Sequence, residues 1–180
     1  MPRTPSRSSR RSRSRRTSPV ELAVGFALIG SLLAIVVPTF AREIHASRSV
    51  EAVDGLHRIG AAALAYAKER PPATAFPPSV SLTPPAVPRG TCEVDPAALW
   101  AQPTWRALEF TPAPEGAPHC FAFSFDSALS PARSTFRAQA HGDLDGDGIP
   151  STFELTGHDL AGDPAGATLD PGVYIDSEVE

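Results

Sequence analysis

Only two of the 180 residues are cysteines, too few for a disulfide-dense mini-protein or for any four-thiolate zinc or iron–sulfur centre. Aromatic residues are thin as well, at 7%, which limits the chain to a modest core. Acids are missing altogether from residues 1–16, where seven arginines stand (Arg3, Arg7, Arg10, Arg11, Arg13, Arg15 and Arg16). The motifs of catalysis are missing too. There is no Gly-x-Ser-x-Gly elbow, no His-Glu-x-x-His, no phosphate-cradling glycine loop and no Cys-x-x-Cys pair, so an enzyme is the poorest expectation. What the chain does have is proline, 20 residues of it, and enough hydrophobic residues (42%) to exclude wholesale disorder. The length suits one domain of ordinary size with an appendage.

A net charge of −4 conceals a strong asymmetry: beyond the arginine-rich leader, nine basic residues face 20 acidic ones. Alone, the leader would suggest a solvated tail that touches RNA or anionic lipid. Close behind it comes Leu22–Ala41, 20 residues without a charge. As a helix this run spans about 30 Å, the hydrocarbon thickness of a bilayer. Positive charge on the leader side sets the amino terminus in the cytoplasm and everything after Ala41 across the membrane. A secretory signal peptide and a buried helix of a soluble core are the alternatives. The first lacks a small-x-small cleavage site, and the second does not account for the basic flank. Glu21 stands directly against the apolar run, where an ionised carboxylate is costly unless a cation reaches it, although the dipole of a starting helix also favours an acid there.

The order of a basic leader, then Thr17-Ser18-Pro19-Val20-Glu21-Leu22, then an apolar helix carrying Pro38, resembles the amino terminus of type IV prepilins and pseudopilins. The resemblance implies cleavage by a prepilin peptidase between Arg16 and Thr17 and methylation of the new amino terminus. It implies that Glu21 pairs with the terminal amine of a neighbouring subunit during assembly, and that Pro38 kinks or locally melts the helix. Arg16 stands where the family has Gly, and Thr17 where it has an aromatic residue or Met. Gly25, Gly30 and Ser31 are small residues that let neighbouring apolar helices approach closely.

Arg42–Arg70 reads as the amphipathic continuation of the helix, with Ile44, Val53, Leu56, Ile59, Ala63, Leu64 and Ala67 on one stripe. Pro71-Pro72 ends it. His45 and His57 read as rim histidines rather than metal ligands, since no other ligand type sits four residues away. Residues 71–103 begin with seven prolines by position 88 and read as an extended connection that wraps a head. Residues 104–180 read as a β head, with strands at Thr104–Thr111, Cys120–Phe125 and Arg133–Ala140. Phe121, Phe123 and Phe125 share one side of the second strand, and Phe136, Ala138 and Ala140 one side of the third. The expected fold is α+β, a long N-terminal helix packed on a small antiparallel sheet, which the pilin resemblance implies as well.

Cys92 and Cys120 lie in the part expected outside the cytoplasm, where disulfides persist. Zinc held by Cys92, His119 and Cys120 is the competitor; adjacent His119 and Cys120 would point to opposite faces of a strand. Residues 143–154 carry acids first, third and fifth, glycine sixth, an oxygen side chain ninth and glutamate twelfth, the spacing of an EF-hand loop. Asp143, Asp145, Asp147, Ser151 and Glu154, with the backbone oxygen of Ile149, make a hard oxygen set suited to Ca2+; an Asp/Gly-rich turn without metal is the plain alternative. No flanking helices are evident, and Pro150 argues against a paired EF-hand.

The expected function is a structural pilin or pseudopilin subunit of a type IV pilus or type II secretion pseudopilus. Its partners would be other subunits, the prepilin peptidase and inner-membrane lipid, with no nucleic acid for the mature chain. The chain would cross the inner membrane once, its head periplasmic or extracellular in a fibre. The second expectation is an uncleaved, membrane-anchored envelope protein with a calcium-stabilised binding head.

Overall fold

A computed structural model of the chain describes residues 18–68 and 70–176, with side chains except those of 38–48. It divides into two units, residues 1–41 and 42–180. Helix α1, Pro19–Ala67, contributes to both and passes Pro38 without a break in secondary structure.

In the first unit, Pro19–Val37 is a 19-residue helical stretch of mean hydropathy 2.5 with none of its residues buried. Hydrophobic side chains point outward all round it: Phe26 is 72% exposed, Ile29 58% and Ile35 68%. A helix that is apolar on every face has no amphipathic reason to stop at one contact, and this one is long and apolar enough to cross a bilayer. The arrangement Ser18-Pro19-Val20-Glu21 explains its start. Ser18 Oγ accepts from the Glu21 N–H at 3.2 Å, and Glu21 Oε2 accepts from the Ser18 N–H at 2.9 Å. With Pro19 at the first helical position, where a missing N–H does no harm, this is a capping box.

In the second unit a six-stranded antiparallel sheet carries the remainder of α1 on one face. The strands are β1 (Val80–Thr83), β2 (Ala122–Ala128), β3 (Arg133–Gly142), β4 (Ser151–Leu160), β5 (Thr168–Leu169) and β6 (Tyr174–Asp176). Their order is β1-β2-β3-β4, with β5 and β6 pairing different stretches of β4. Alternation decides which side is core. In β3, Ser134, Phe136, Ala138, Ala140 and Gly142 are buried, and in β4 so are Ser151, Phe153, Leu155, Gly157 and Asp159. Register then sets large residues beside small ones: Phe125 opposite Ala138 opposite Leu155, and Phe123 opposite Ala140 opposite Phe153. This large–small order lets side chains of neighbouring strands interdigitate.

The helix face that closes the core is made of Ala52, Gly55, Leu56, Ile59, Gly60, Ala63 and Ala67. Two glycines set its distance from the sheet. A Cβ on Gly55 would lie 2.7 Å from the Phe123 ring, and one on Gly60 would lie 2.7 Å from Leu155 Cδ2. The expected stripe is thus rotated slightly. Val53 and Leu64 are half-buried at its margins, and Ile44 lies outside the described side chains.

Three expectations are corrected or refined. Thr104–Thr111 is not a strand. Pro103 initiates a short helix, α2 (Pro103–Ala107), whose Trp105, together with Leu108 and Phe110 just beyond it, is buried; Glu109 turns the chain at φ 48°. Three-residue spacing from Trp105 to Leu108 suits a helical turn and not a pleat. The proline-rich segment is more than a spacer, because β1 pairs with β2, setting Val80 opposite Phe125 and Thr83 opposite Phe123. And β4, read from the sequence as the tail of a metal loop, is one of the two longest strands of the sheet.

Candidate functional site

Cys92 and Cys120 form the expected disulfide, 28 residues apart in sequence. A loop of that length contributes on the order of 3 kcal/mol. The zinc alternative falls with it, since His119 is taken elsewhere: Nδ1 faces Phe121 O at 2.9 Å and Nε2 faces Asp95 Oδ2 at 2.9 Å. His119 and Cys120 are both buried, not divided between two faces. Glu51 on α1 accepts the Cys120 N–H at 2.9 Å, which ties helix to disulfide.

The aspartate-rich segment is the β3–β4 loop, residues 143–150. Asp143 is the buried anchor: Oδ1 accepts the Gly146 N–H at 2.8 Å and Oδ2 the Gly148 N–H at 3.0 Å. Asp145 and Asp147 repeat the device on Asp147 N–H and Ile149 N–H. Gly146 and Gly148 adopt φ of 81° and 94°, which side chains resist. The result is that one ligand oxygen from each of Asp143, Asp145 and Asp147 lies within 4.8 Å of the others. Among the described residues no other group gathers three metal-ligating side chains in this way.

Glu154 does not join this group, and Ser151 is engaged on the ladder. Ser151 Oγ donates to Gly142 O at 2.9 Å as the first pair of the β3–β4 ladder. Glu154 stands opposite Gln139, accepts its Nε2–H at 3.0 Å and lies 3.6 Å from Arg137 Nε. Ile149 is exposed, and its N–H serves Asp147. Pro150 ends the loop, and the alternation Phe153, Leu155 makes the next segment a strand, so the turn of helix that would fold a twelfth-position glutamate back over an ion is absent. Three carboxylates remain a fitting oxygen set for a hard divalent cation, with Asp143, Asp145 and Asp147 as the residues that would hold it.

A strap joins this loop to the disulfide. Gly90 N–H donates to Asp143 O at 2.7 Å, Arg89 Nε lies 3.9 Å from Asp143 Oδ2, and a Cβ on Gly90 would lie 3.6 Å from Gly146 Cα. Two residues on, Cys92 makes its bridge, and Glu93 pairs with His119.

On the far side of the sheet, His158 Nδ1 lies 3.0 Å from Asp170 Oδ1, Thr156 Oγ1 donates to Asp170 Oδ2 at 2.7 Å, and Thr168 Oγ1 lies 3.4 Å from His158 Nε2. The order Asp-His-Thr follows from register, because His158 and Thr168 are direct cross-strand partners, and the cluster fastens β5 to β4. The Thr156 hydroxyl, with His158 beside it, holds the Asp170 carboxyl below its ordinary value. Burial pushes the His141 imidazole down; its Nδ1 lies 3.0 Å from Thr152 Oγ1.

Of the assembly residues, Glu21 is exposed and locked in the capping box, and Pro38 lies within α1. Arg16 and Thr17 lie outside the described residues, as does the side chain of His45; His57 is exposed. Sequence reasoning missed the capping box, whose Ser-x-x-Glu signature was readable, and the Asp95–His119–Trp100 cluster, which no local pattern announces. No protein-family model, no curated protein and no solved structure matches the chain.

Proposed function

We propose that this chain is a membrane-inserted, pilin-like or pseudopilin-like structural subunit. The observation that carries the reading is the pairing of two unlike halves on α1. Pro19–Val37 is apolar on all sides and unburied, whereas Ala52–Ala67 is covered by a sheet. A helix of the first kind is stable in lipid or among copies of itself. Gly25 and Gly30 have open space where a Cβ would stand, which suits close helix–helix approach. Assembly would then proceed by lateral packing of such helices, with Glu21, at the rim, neutralised by a neighbour's terminal amine.

Mass spectrometry of the chain recovered from its native membrane tests this. A methylated start at Thr17 supports the subunit. An intact arginine-rich terminus sinks it in favour of an uncleaved anchored protein with a metal-braced head. Two observations favour that second reading: the capping box already satisfies Glu21 within its own chain, and Asp143, Asp145 and Asp147 converge.

A further inference from the structure

Asp95 has an uneven carboxylate. Its side chain is 8% exposed, and Oδ2 takes both available donors, Trp100 Nε1 at 3.2 Å and His119 Nε2 at 2.9 Å. Oδ1 receives no hydrogen bond from a described residue. Among the described residues no wholly enclosed side-chain atom lacks a partner, so Oδ1 is not wholly enclosed, and Asp95 lines a cavity. That cavity, about 380 Å³, lies between the 97–101 turn and the 111–117 loop. Trp100, Ala101 and Pro112 make its walls apolar, and Arg106 and Glu115 are its charged rim. Its volume is within the range of small-ligand pockets, and an apolar cleft with one converging polar group is their usual composition.

A carboxylate oxygen with no protein donor can accept a hydrogen bond from a ligand. Water supplies one without using the walls. A primary ammonium supplies a charge-assisted hydrogen bond, lays its stem along Ala101 and Pro112, and stands beside the Trp100 ring. Charge agrees, for the chain beyond residue 16 has 20 acids against nine bases. Glu115 adds to the attraction; Arg106 opposes it. We infer that this cleft binds a primary ammonium carried on a short apolar stem, such as a lysine side chain of a partner protein.

The test uses the full chain, labelled with 15N-tryptophan, in lipid nanodiscs. Trp100 and Trp105 give the two indole N–H resonances, and Trp105, fully buried with Nε1 on Thr83 Oγ1, is the internal reference. n-Butylammonium chloride is titrated against n-butanol and sodium butyrate at equal ionic strength. A saturable shift of the Trp100 resonance is expected with butylammonium, at least about tenfold tighter than with butanol, and none with butyrate. Asp95→Asn should abolish the preference. Because Asp95 also holds Trp100 and His119, two variants away from those contacts accompany it. Ala101→Leu, which fills the cleft, should abolish binding, and Arg106→Gln should tighten it severalfold. No saturable shift with butylammonium, an equal shift with butyrate, or weaker binding in Arg106→Gln overturns the assignment.

Discussion

Glu21 and Ser18 satisfy each other across one turn, carboxylate to N–H in one direction and hydroxyl to N–H in the other. A glutamine closes the same box as a glutamate. Glu21→Gln therefore removes charge while keeping the helix start, and Glu21→Ala removes both. The alanine variant is expected to weaken the cap, read as faster amide exchange over residues 18–22 in micelles. Both variants are expected to stay out of fibres. Normal incorporation of Glu21→Gln would assign the acid to capping alone.

The second prediction concerns the helix–sheet distance. Gly55→Val forces a branched side chain into the Phe123 ring, 2.7 Å from where its Cβ begins. Overpacking of this kind destabilises by about 1–3 kcal/mol. A lowered denaturation midpoint of the head, with circular dichroism of the folded baseline unchanged, is the expected result. Gly25→Val, which meets nothing within 4 Å, is the control and should leave the midpoint where it was.

Calcium is expected to raise the melting temperature of the full chain in detergent, and Asp145→Ala to abolish the rise. Glu154→Gln should leave it intact, since Glu154 faces Gln139 and Arg137 on the ladder. An identical melt with calcium and with chelator removes the metal site. Loss of the effect in Glu154→Gln would restore the twelve-residue ligand set.

Asp170 supplies a pH signature. Its carboxyl is held below the ordinary value, first by the Thr156 hydroxyl. A carboxyl of this kind contributes stability above its unfolded pKa, and the contribution fades as pH falls through the folded one. Thr156→Val should thus melt below the native chain near neutrality, and the gap should close in acid. The side chain is 43% exposed, so the gap is small. A gap that persists in acid would make Thr156 a packing residue.

Much of the head was readable in advance. Phe121, Phe123 and Phe125, then Phe136, Ala138 and Ala140, alternate because strands do, and all six are buried. The disulfide followed from the expected compartment and from the cysteine count. At residues 143–154 the first three acids converge as the spacing expects, while Glu154 lies on β4 beside Gln139 and Arg137. Phe153 and Leu155, both buried, decided for the strand. Trp105 misled, as a β-favouring residue that tertiary packing placed on a helical turn started by Pro103. The Asp95 cluster was invisible, because Asp95 and His119 stand 24 positions apart in sequence.

The short run from Arg89 to Asp95 is fastened at nearly every step: to the acidic loop through Gly90, to His119 and Cys120 through Glu93 and Cys92, and to the indole and imidazole through Asp95. Such a tether has little slack. The acidic loop, the disulfide and the cleft that Asp95 lines thus share one short stretch of backbone, and reducing the disulfide would remove its covalent fastening.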